Sequence, residues 1–495
     1  MEKKILIVGT GLAGLSSAVR LVNQGYKVEM VEKYHQPGGR LNQLKASGYT
    51  FDLAPTFFSM SYEFNELLRD CNIKPLFEFQ ELNPLYHVFF RDTKKQYQLF
   101  REPEKLAEQF NEIEPNFEQN FKNYIEGAGE LFHDTIDRIV KRNFNNFYSY
   151  VWAMMHVPPK HLPKLFRTFW QELEKHFTSN EVKEILSLVA FFLGGTPFNT
   201  PAIYTLLSYT EFIHDGYHNV KGGMYNIVEG LVNYLTEKGV AFHYNTEIVG
   251  YHTNKNQQLE YLTDTQEKKW LADLFVINSD AAHFRGSVFQ RTAFTEPKLD
   301  KMQWTMAPFT IYVGVEGKLD KLGQHNYFLG NNFKEYANKV YTENFETDKP
   351  YYYVNIPSKN NTDAAPADGE ALFFLCPVPD LRMRPDWSNK EQFADAIIND
   401  FEEITGYQIK SKIRTLTIIA PDQWETSFNL YKGSGLGLGH SLKQIAWFRP
   451  KNHDEKFANV FYTGASTIPG TGLPMAMISA KLTVEQILKN YGSLS

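Results

Sequence analysis

The first residues able to do chemistry are three glycines at a fixed spacing, Gly9-Thr10-Gly11-Leu12-Ala13-Gly14, between the apolar run Ile5-Leu6-Ile7-Val8 and the small-faced segment from Leu15 to Leu21. A strand feeding such a turn lets backbone amides at a helix N-terminus approach a pyrophosphate, whose charge the aligned peptide dipoles favour. Side chains at those positions would obstruct the approach. Glu32 follows Gly14 by 18 residues, at the end of a second strand-like run, Val28-Glu29-Met30-Val31. That is near the spacing of about 20 at which an acid bonds ribose hydroxyls, and an acid there disfavours a 2'-phosphate. The glycines alone indicate a dinucleotide without separating NAD from FAD.

The next feature narrows the choice. Gly38-Gly39-Arg40-Leu41 resembles the second glycine motif of the glutathione-reductase-like flavoprotein superfamily, in which the paired glycines and the arginine lie against the phosphates and the flavin end of FAD. An arginine suits that place because its planar fork matches phosphate oxygens. A third element lies at the far end, Asn459-Val460-Phe461-Tyr462-Thr463-Gly464-Ala465-Ser466-Thr467-Ile468-Pro469-Gly470-Thr471-Gly472-Leu473-Pro474-Met475-Ala476. It closely resembles the C-terminal signature of the bacterial-type phytoene (carotenoid) desaturase family of FAD-dependent oxidoreductases. Pro474 suits the first turn of a helix, where its missing amide costs nothing. A helix N-terminus aimed at the flavin would stabilise the negative charge that develops on hydride uptake.

The resemblance covers nearly the whole chain, including Asp52-Leu53-Ala54-Pro55, Gly222-Gly223, Asn278-Ser279-Asp280-Ala281, and Gln444 with Arg449-Pro450. Ala54 replaces a usual glycine, and Val220 stands where a proline commonly precedes the Gly-Gly pair. It implies FAD as cofactor, held by Gly9, Gly11, Leu12, Ala13, Gly14, Glu32, Lys33, Gly38, Gly39, Arg40, Leu41, Pro55, Thr56, Ile248, Asp280, Gly464, Ala465, Gly472, Leu473, Pro474 and Met475. It implies a C40 carotenoid as substrate and hydride transfer to flavin as the reaction, with dioxygen or a quinone as electron acceptor. The pattern is most similar to Bacteroidetes-type enzymes that introduce a 3,4 double bond into a 1-hydroxylated or monocyclic, γ-carotene-type carotenoid. Phytoene desaturation and carotenoid isomerisation or saturation stay open. So, more remotely, do an amine oxidase and a lipid-escort protein of the same fold. No side chain is assigned as catalytic, His325 and His440 included, and no metal is expected.

The elements that must position these residues read as α/β. The expected fold is a glutathione-reductase-like Rossmann FAD-binding domain with a discontinuous mixed-sheet substrate domain and a helical insertion. The division is 1–85, 215–290 and 425–495 for the FAD-binding domain; 86–100, 200–214 and 291–424 for the substrate domain; and 101–199 for the insertion. The spacing predicts a helix over 225–235, strand-like stretches at 240–251 and 274–278, further strands at 306–315 and 371–378, and a last helix from Pro474 to Lys489.

With 495 residues the chain is long enough for two or three intertwined cores. A formal charge of −6 gives no overall basic field, which argues against nucleic acid as the main partner. Cys71 and Cys376 stand far apart without metal-type spacing, and a reducing cytoplasm fits them. No run reaches the roughly 18 apolar residues of a membrane span, so membrane contact is expected to be peripheral, on the inner face. Aromatic residues crowd the insertion: Phe144, Phe147, Tyr148, Tyr150, Trp152, Phe166, Phe169 and Trp170. The simpler reading makes them helix cores; the alternative has them line a tunnel or touch lipid, with Lys160, Lys164 and Arg167 meeting anionic headgroups.

Overall fold

The computed structural model describes residues 3–494 apart from 145, 256, 331, 344 and 346–348, so the outermost bounds of the domain division, 1 and 495, lie outside the described residues. Ile5, Leu6 and Ile7 are all wholly buried, as expected of a strand covered on both faces rather than one that alternates. This strand, Lys4–Val8, is the centre of a five-stranded sheet whose order is Val460–Tyr462, Leu274–Ile277, Lys4–Val8, Lys27–Val31, Ala241–His243. Every neighbouring pair is parallel. The helix Leu12–Val22 packs against both Asn226–Glu237 and the last helix, Leu473–Tyr491. The two ends of the chain therefore meet on one layer.

The run at 240–251, read as one strand-like stretch, is two strands in different sheets. Asn245 adopts the left-handed region (φ 52°) and turns the chain between Ala241–His243 and Ile248–Thr253. The second of these joins Leu259–Asp264 and Lys269–Leu271 in a small antiparallel sheet. A seven-stranded sheet runs in the order Ile413–Ile419, Ala307–Glu316, Gly369–Val378, Tyr352–Asn355, His325–Leu329, Tyr86–Phe90, Gln96–Leu99. It is antiparallel except where His325–Leu329 lies parallel to Tyr86–Phe90. Its long central strands pair residue for residue, Ala307 with Val378 through Glu316 with Gly369.

Between the strand segments lies a helical layer. Phe117–Thr135 buries Phe121, Tyr124, Ile125, Ala128, Leu131 and Phe132, the i, i+3, i+4 stripe of an amphipathic helix, and runs on as a π-helical turn, Ile136–Val140. Asn146 caps Phe147–Met155 by accepting from the Ser149 amide, and Pro158 to Pro163 hold the following segment to a tight 3₁₀ turn, Pro159–Leu165. The core reading of the insertion aromatics holds for Phe144 and Phe169, which are buried. It fails for Phe147, Tyr148, Trp152 and Phe166, which are 48%, 84%, 56% and 85% exposed. Tyr148, Val151, Trp152 and Met155 share one outward face of a short helix, a packing choice that composition does not reveal.

Two features of this framework are measurable. A Cβ on Gly14 would lie 2.3 Å from the Gly9 carbonyl oxygen and 2.8 Å from Asn278 Nδ2. Gly14→Val is expected to cost about 3 kcal/mol, read as a lower urea midpoint. Asp52 ends the hairpin Gln43–Ala46/Tyr49–Asp52, and its Oδ1 accepts from the Met224 amide at 3.1 Å. Burial raises its carboxyl from 3.8 to about 7, with the Met224 bond opposing. The folded protein therefore holds this proton where the unfolded chain has lost it. The stability contributed is full below the unfolded value and is lost as the pH rises to about 7. Melting temperatures measured from pH 4 to 8 are expected to fall less steeply in Asp52→Asn.

Candidate functional site

Gly9 and Gly11 close the first strand onto its neighbour. A Cβ at Gly9, where φ is 95°, would meet the Asn278 carbonyl oxygen at 2.4 Å, and one at Gly11 would meet Asn278 Nδ2 at 2.9 Å. The Asn278 amide donates to the Gly11 carbonyl at 3.2 Å and, more weakly, to that of Gly9 at 3.4 Å. The helix Leu12–Val22 then begins at Gly11 with no side-chain cap, leaving its first backbone amides for a ligand. The last helix, Leu473–Tyr491, also begins uncapped, at Gly472 with φ 114°. Both starts line one continuous cavity of about 880 Å³.

Every predicted contact except Gly14 lies in the wall of that cavity. Gly14 instead permits the helix to pack on the turn beneath it. The Glu32 carboxylate accepts from the Thr10 amide and hydroxyl, each at 2.7 Å, and from the Tyr34 amide at 2.9 Å. Lys33 reaches the Thr426 carbonyl and Asn429 Oδ1 at 2.8 and 2.6 Å, joining the second strand to a distant loop. Gly38 and Gly39 have φ values of 116° and 57°, and a Cβ on Gly39 would sit 3.2 Å from Gly11 Cα. Arg40 donates to the Gly435 carbonyl at 2.8 Å. Burial lowers its pKa, with the opposing field of Asp280 nearby. Asp280, pulled up by burial, accepts from the Ser466 hydroxyl at 3.0 Å and the Ala282 amide at 2.9 Å. Thr56 shares a 2.7 Å hydrogen bond with the Tyr353 hydroxyl. Ile248 begins the outer sheet beside Thr246, whose amide donates to the Glu32 carbonyl.

This donor set fits FAD. It offers two uncapped helix starts, glycines where side chains would fill the cradle, one guanidinium, and the buried Trp424 Nε1–H in the cavity wall without a partner among the described residues. The Glu32 carboxylate is already bonded through three of its acceptor positions, leaving a fourth.

Several residues that the sequence singles out have positioning roles that their local sequence does not reveal. Asn278 follows the strand Leu274–Ile277, and only that strand's pairing with Lys4–Val8 places it under the glycine turn. Arg449, 1% exposed, donates to five carbonyls, those of Thr467, Gly439, Gln444, Leu438 and Ala465, and so ties the Gly464–Gly472 loop to the preceding segment. Burial brings its pKa down to about 10. His440 lies 3.2 Å (Nδ1) from the Leu193 carbonyl and 3.1 Å (Nε2) from the Thr471 hydroxyl. Burial, then Arg449, pushes it down to about 3, so it is a neutral ring whose Nδ1 proton is assigned from its carbonyl partner. His325 is lowered to about 3, chiefly by burial, and its Nδ1 lies 2.5 Å from the Tyr353 hydroxyl. Neither histidine is a proton acceptor of ordinary strength.

Away from the glycines the cavity is apolar and passes Leu131, Ile136, Met154, Val157 and Leu165 of the helical layer. Leu162 and Phe448 both line it and are 51% and 53% exposed, so the cavity reaches the surface at these residues. Lys164 and Arg167 both face the Glu172 carboxylate, and Lys160 pairs with Glu130. The three cations proposed for headgroups thus already have acidic partners.

Comparison with known proteins agrees with this geometry. The model of the flavin containing amine oxidoreductase family matches residues 12–488. A zeta-carotene-forming phytoene desaturase of Myxococcus xanthus is 30% identical, over 98% of this chain and 94% of its own. A carotenoid 3,4-desaturase of Haloarcula japonica is 27% identical, over 98% of each chain. The solved structure of a putrescine oxidase variant superposes with a TM-score of 0.64 at 13% identity, covering 99% of both chains, which shows the shared fold. The chain belongs to the flavin containing amine oxidoreductase family and, within it, to the carotenoid desaturase family of FAD-dependent oxidoreductases.

Proposed function

We propose that the protein is a carotenoid desaturase that removes two hydrogens from adjacent carbons of a long polyene, and that it works on a lipid surface at the inner face of the cell membrane. The observation that carries this reading is the continuity of the cavity, from the uncapped helix starts through apolar walls to an opening among exposed aromatic residues. A flexible hydrocarbon chain fits such a passage, and it excludes water around the reacting carbons.

When bound, FAD supplies an acceptor for a hydride equivalent from carbon activated by neighbouring double bonds. The chain's part is to hold, orient and keep dry. In this reading Gly9, Gly11, Leu12, Ala13 and the first amides of Leu12–Val22 hold the pyrophosphate, with Gly14 allowing the helix to pack there. Glu32 and Lys33 hold the adenosine ribose end, and Ile248 the adenine. Gly38, Gly39, Arg40, Leu41, Pro55 and Thr56 hold the flavin end from one side. Asp280, Gly464, Ala465, Gly472, Leu473, Pro474 and Met475 hold it from the other. The start of Leu473–Tyr491 directs its positive end into the cavity, where negative charge is stabilised. Dioxygen or a membrane quinone is the final electron acceptor in this proposal.

The finer substrate is 3,4-desaturation of a 1-hydroxylated or monocyclic carotenoid, supported by the likeness to the 3,4-desaturase. Phytoene desaturation is the second reading, favoured by the likeness to the phytoene desaturase. Expression in a host supplied with defined carotenoids separates them. A red shift confined to hydroxylated or monocyclic precursors is expected. An unchanged set of phytoene, lycopene, γ-carotene and their hydroxylated derivatives would overturn the desaturase reading.

Attachment rests on apolar burial, because the nearby cations are paired. No helix among the described residues is long and apolar enough to cross a membrane. Trp152→Asp with Phe166→Asp is expected to reduce co-sedimentation with anionic vesicles by about tenfold or more. Unaltered co-sedimentation sinks the proposed attachment through this face.

A further inference from the structure

The cavity wall at the end assigned above to adenosine is made by segments far apart in the chain. One side is Glu32 and Lys33, which follow the strand Lys27–Val31 of the parallel sheet, together with Glu247. The other is Trp424 and Phe428 of the helix Pro421–Phe428 and the residue that ends this helix, Asn429. The helix follows Ile413–Ile419, an edge strand of the seven-stranded sheet, and Trp424 is buried in the core that this sheet shares. The two sides therefore belong to different sheets. Contacts that cross between them decide how firmly this end of the cavity is walled.

Asn429 makes those contacts. It adopts the left-handed region (φ 53°), which asparagine tolerates better than most residues. Its Oδ1 accepts from Lys33 Nζ at 2.6 Å, and its Nδ2 donates to Glu247 Oε1 at 3.2 Å and lies 3.1 Å from His283 Nε2. An ammonium only donates and a carboxylate accepts, so these partners fix which way the amide faces. Burial lowers the His283 pKa against the field of Glu247, which leaves Nε2 an acceptor for the same amide. Lys33 directs its other donors at the Thr426 carbonyl, 2.8 Å away, and the Glu247 carboxylate, 3.3 Å away. An ammonium has three N–H groups, so all of them point at protein oxygens and its part here is to hold the wall.

We propose that Asn429 is a positioning residue that clasps the two sheets together at the adenosine end and so sets how long FAD stays bound. This rests on the assignment of Glu32, Lys33 and Ile248 to that end, and it is independent of which polyene the protein uses. A side-chain amide can accept from an ammonium while donating to a carboxylate and an imidazole. A group with one sense of hydrogen bonding leaves one side of the clasp unmade. Without the amide, only the bond from Lys33 to the Thr426 carbonyl among these contacts still crosses to the helix. A wall that parts more readily releases its ligand faster, so the effect falls on dissociation.

The FAD-loaded protein is diluted, and the recovery of flavin fluorescence is followed as FAD leaves. Asn429→Gly removes the amide but keeps the left-handed backbone, which glycine adopts without strain. It is expected to speed release about tenfold. Lys33→Met breaks the same clasp from the other side, so the double variant is expected to release FAD at most about twofold faster than the faster single variant. Wild-type release from Asn429→Gly, or full multiplication of the two single effects, overturns the clasp. ADP, which carries adenosine without a flavin, is then titrated against FAD. It is expected to compete in the wild type and about tenfold less well in Asn429→Gly. ADP that competes equally well in both proteins overturns the clasp alone, whereas ADP that fails to compete in the wild type overturns the adenosine-end assignment beneath it.

Discussion

At the first turn of the chain two strands and a helix come together with no room for a side chain. Gly9 and Gly14 are packed so closely on each other and on Asn278 that an added methyl group would overlap backbone atoms, which cannot move aside as a side-chain tip can. The Asn278 amide then bonds to the carbonyls of the same turn. That contact sets where the helix Leu12–Val22 starts and keeps its leading amides open. The last helix, Leu473–Tyr491, packs against that same helix, so both uncapped helix starts open into one cavity.

A second hub secures the opposite wall. Arg449 is buried without a carboxylate and satisfied by carbonyls. A guanidinium can do this because its five N–H donors radiate in a plane, so one side chain can bond several loop carbonyls at once. The loop from Gly464 to Gly472 needs such support because its glycines adopt positive φ and provide no side-chain packing of their own. The cavity is thus held between a backbone contact at the N-terminal turn and a side-chain hub beneath the C-terminal loop.

Electrostatically, the space between them is quiet. His440 in its wall and the buried His325 are both pushed down to about 3, chiefly by burial, Asp280 faces Arg40 and Ser466, and burial pushes the nearby Glu211 carboxyl up to about 8. Fixed dipoles and neutral hydroxyls provide most of the polarity. A low-dielectric passage of this kind favours hydrocarbon and makes the remaining polar atoms selective, since each must find a partner inside.

The sequence by itself determined the local parts. Gly9 to Gly14, Glu32, Gly38 to Arg40 and Gly464 to Met475 are legible because a backbone that approaches a phosphate, or turns through positive φ, admits few residue types. The buried strand Ile5 to Val8 and the last helix are legible because their apolar patterns span whole elements. Only the tertiary structure decided that Asn278 lies beneath the glycines and that Arg449 holds the opposite loop. It alone split the run at 240–251 between two sheets. It also turned Tyr148 and Trp152 outward while burying Phe144 and Phe169, and it brought Asn429 against Lys33. Burial and pairing between distant segments are properties of the packed chain; an aromatic or acidic residue reads alike in sequence whether a neighbour from elsewhere covers it or water does.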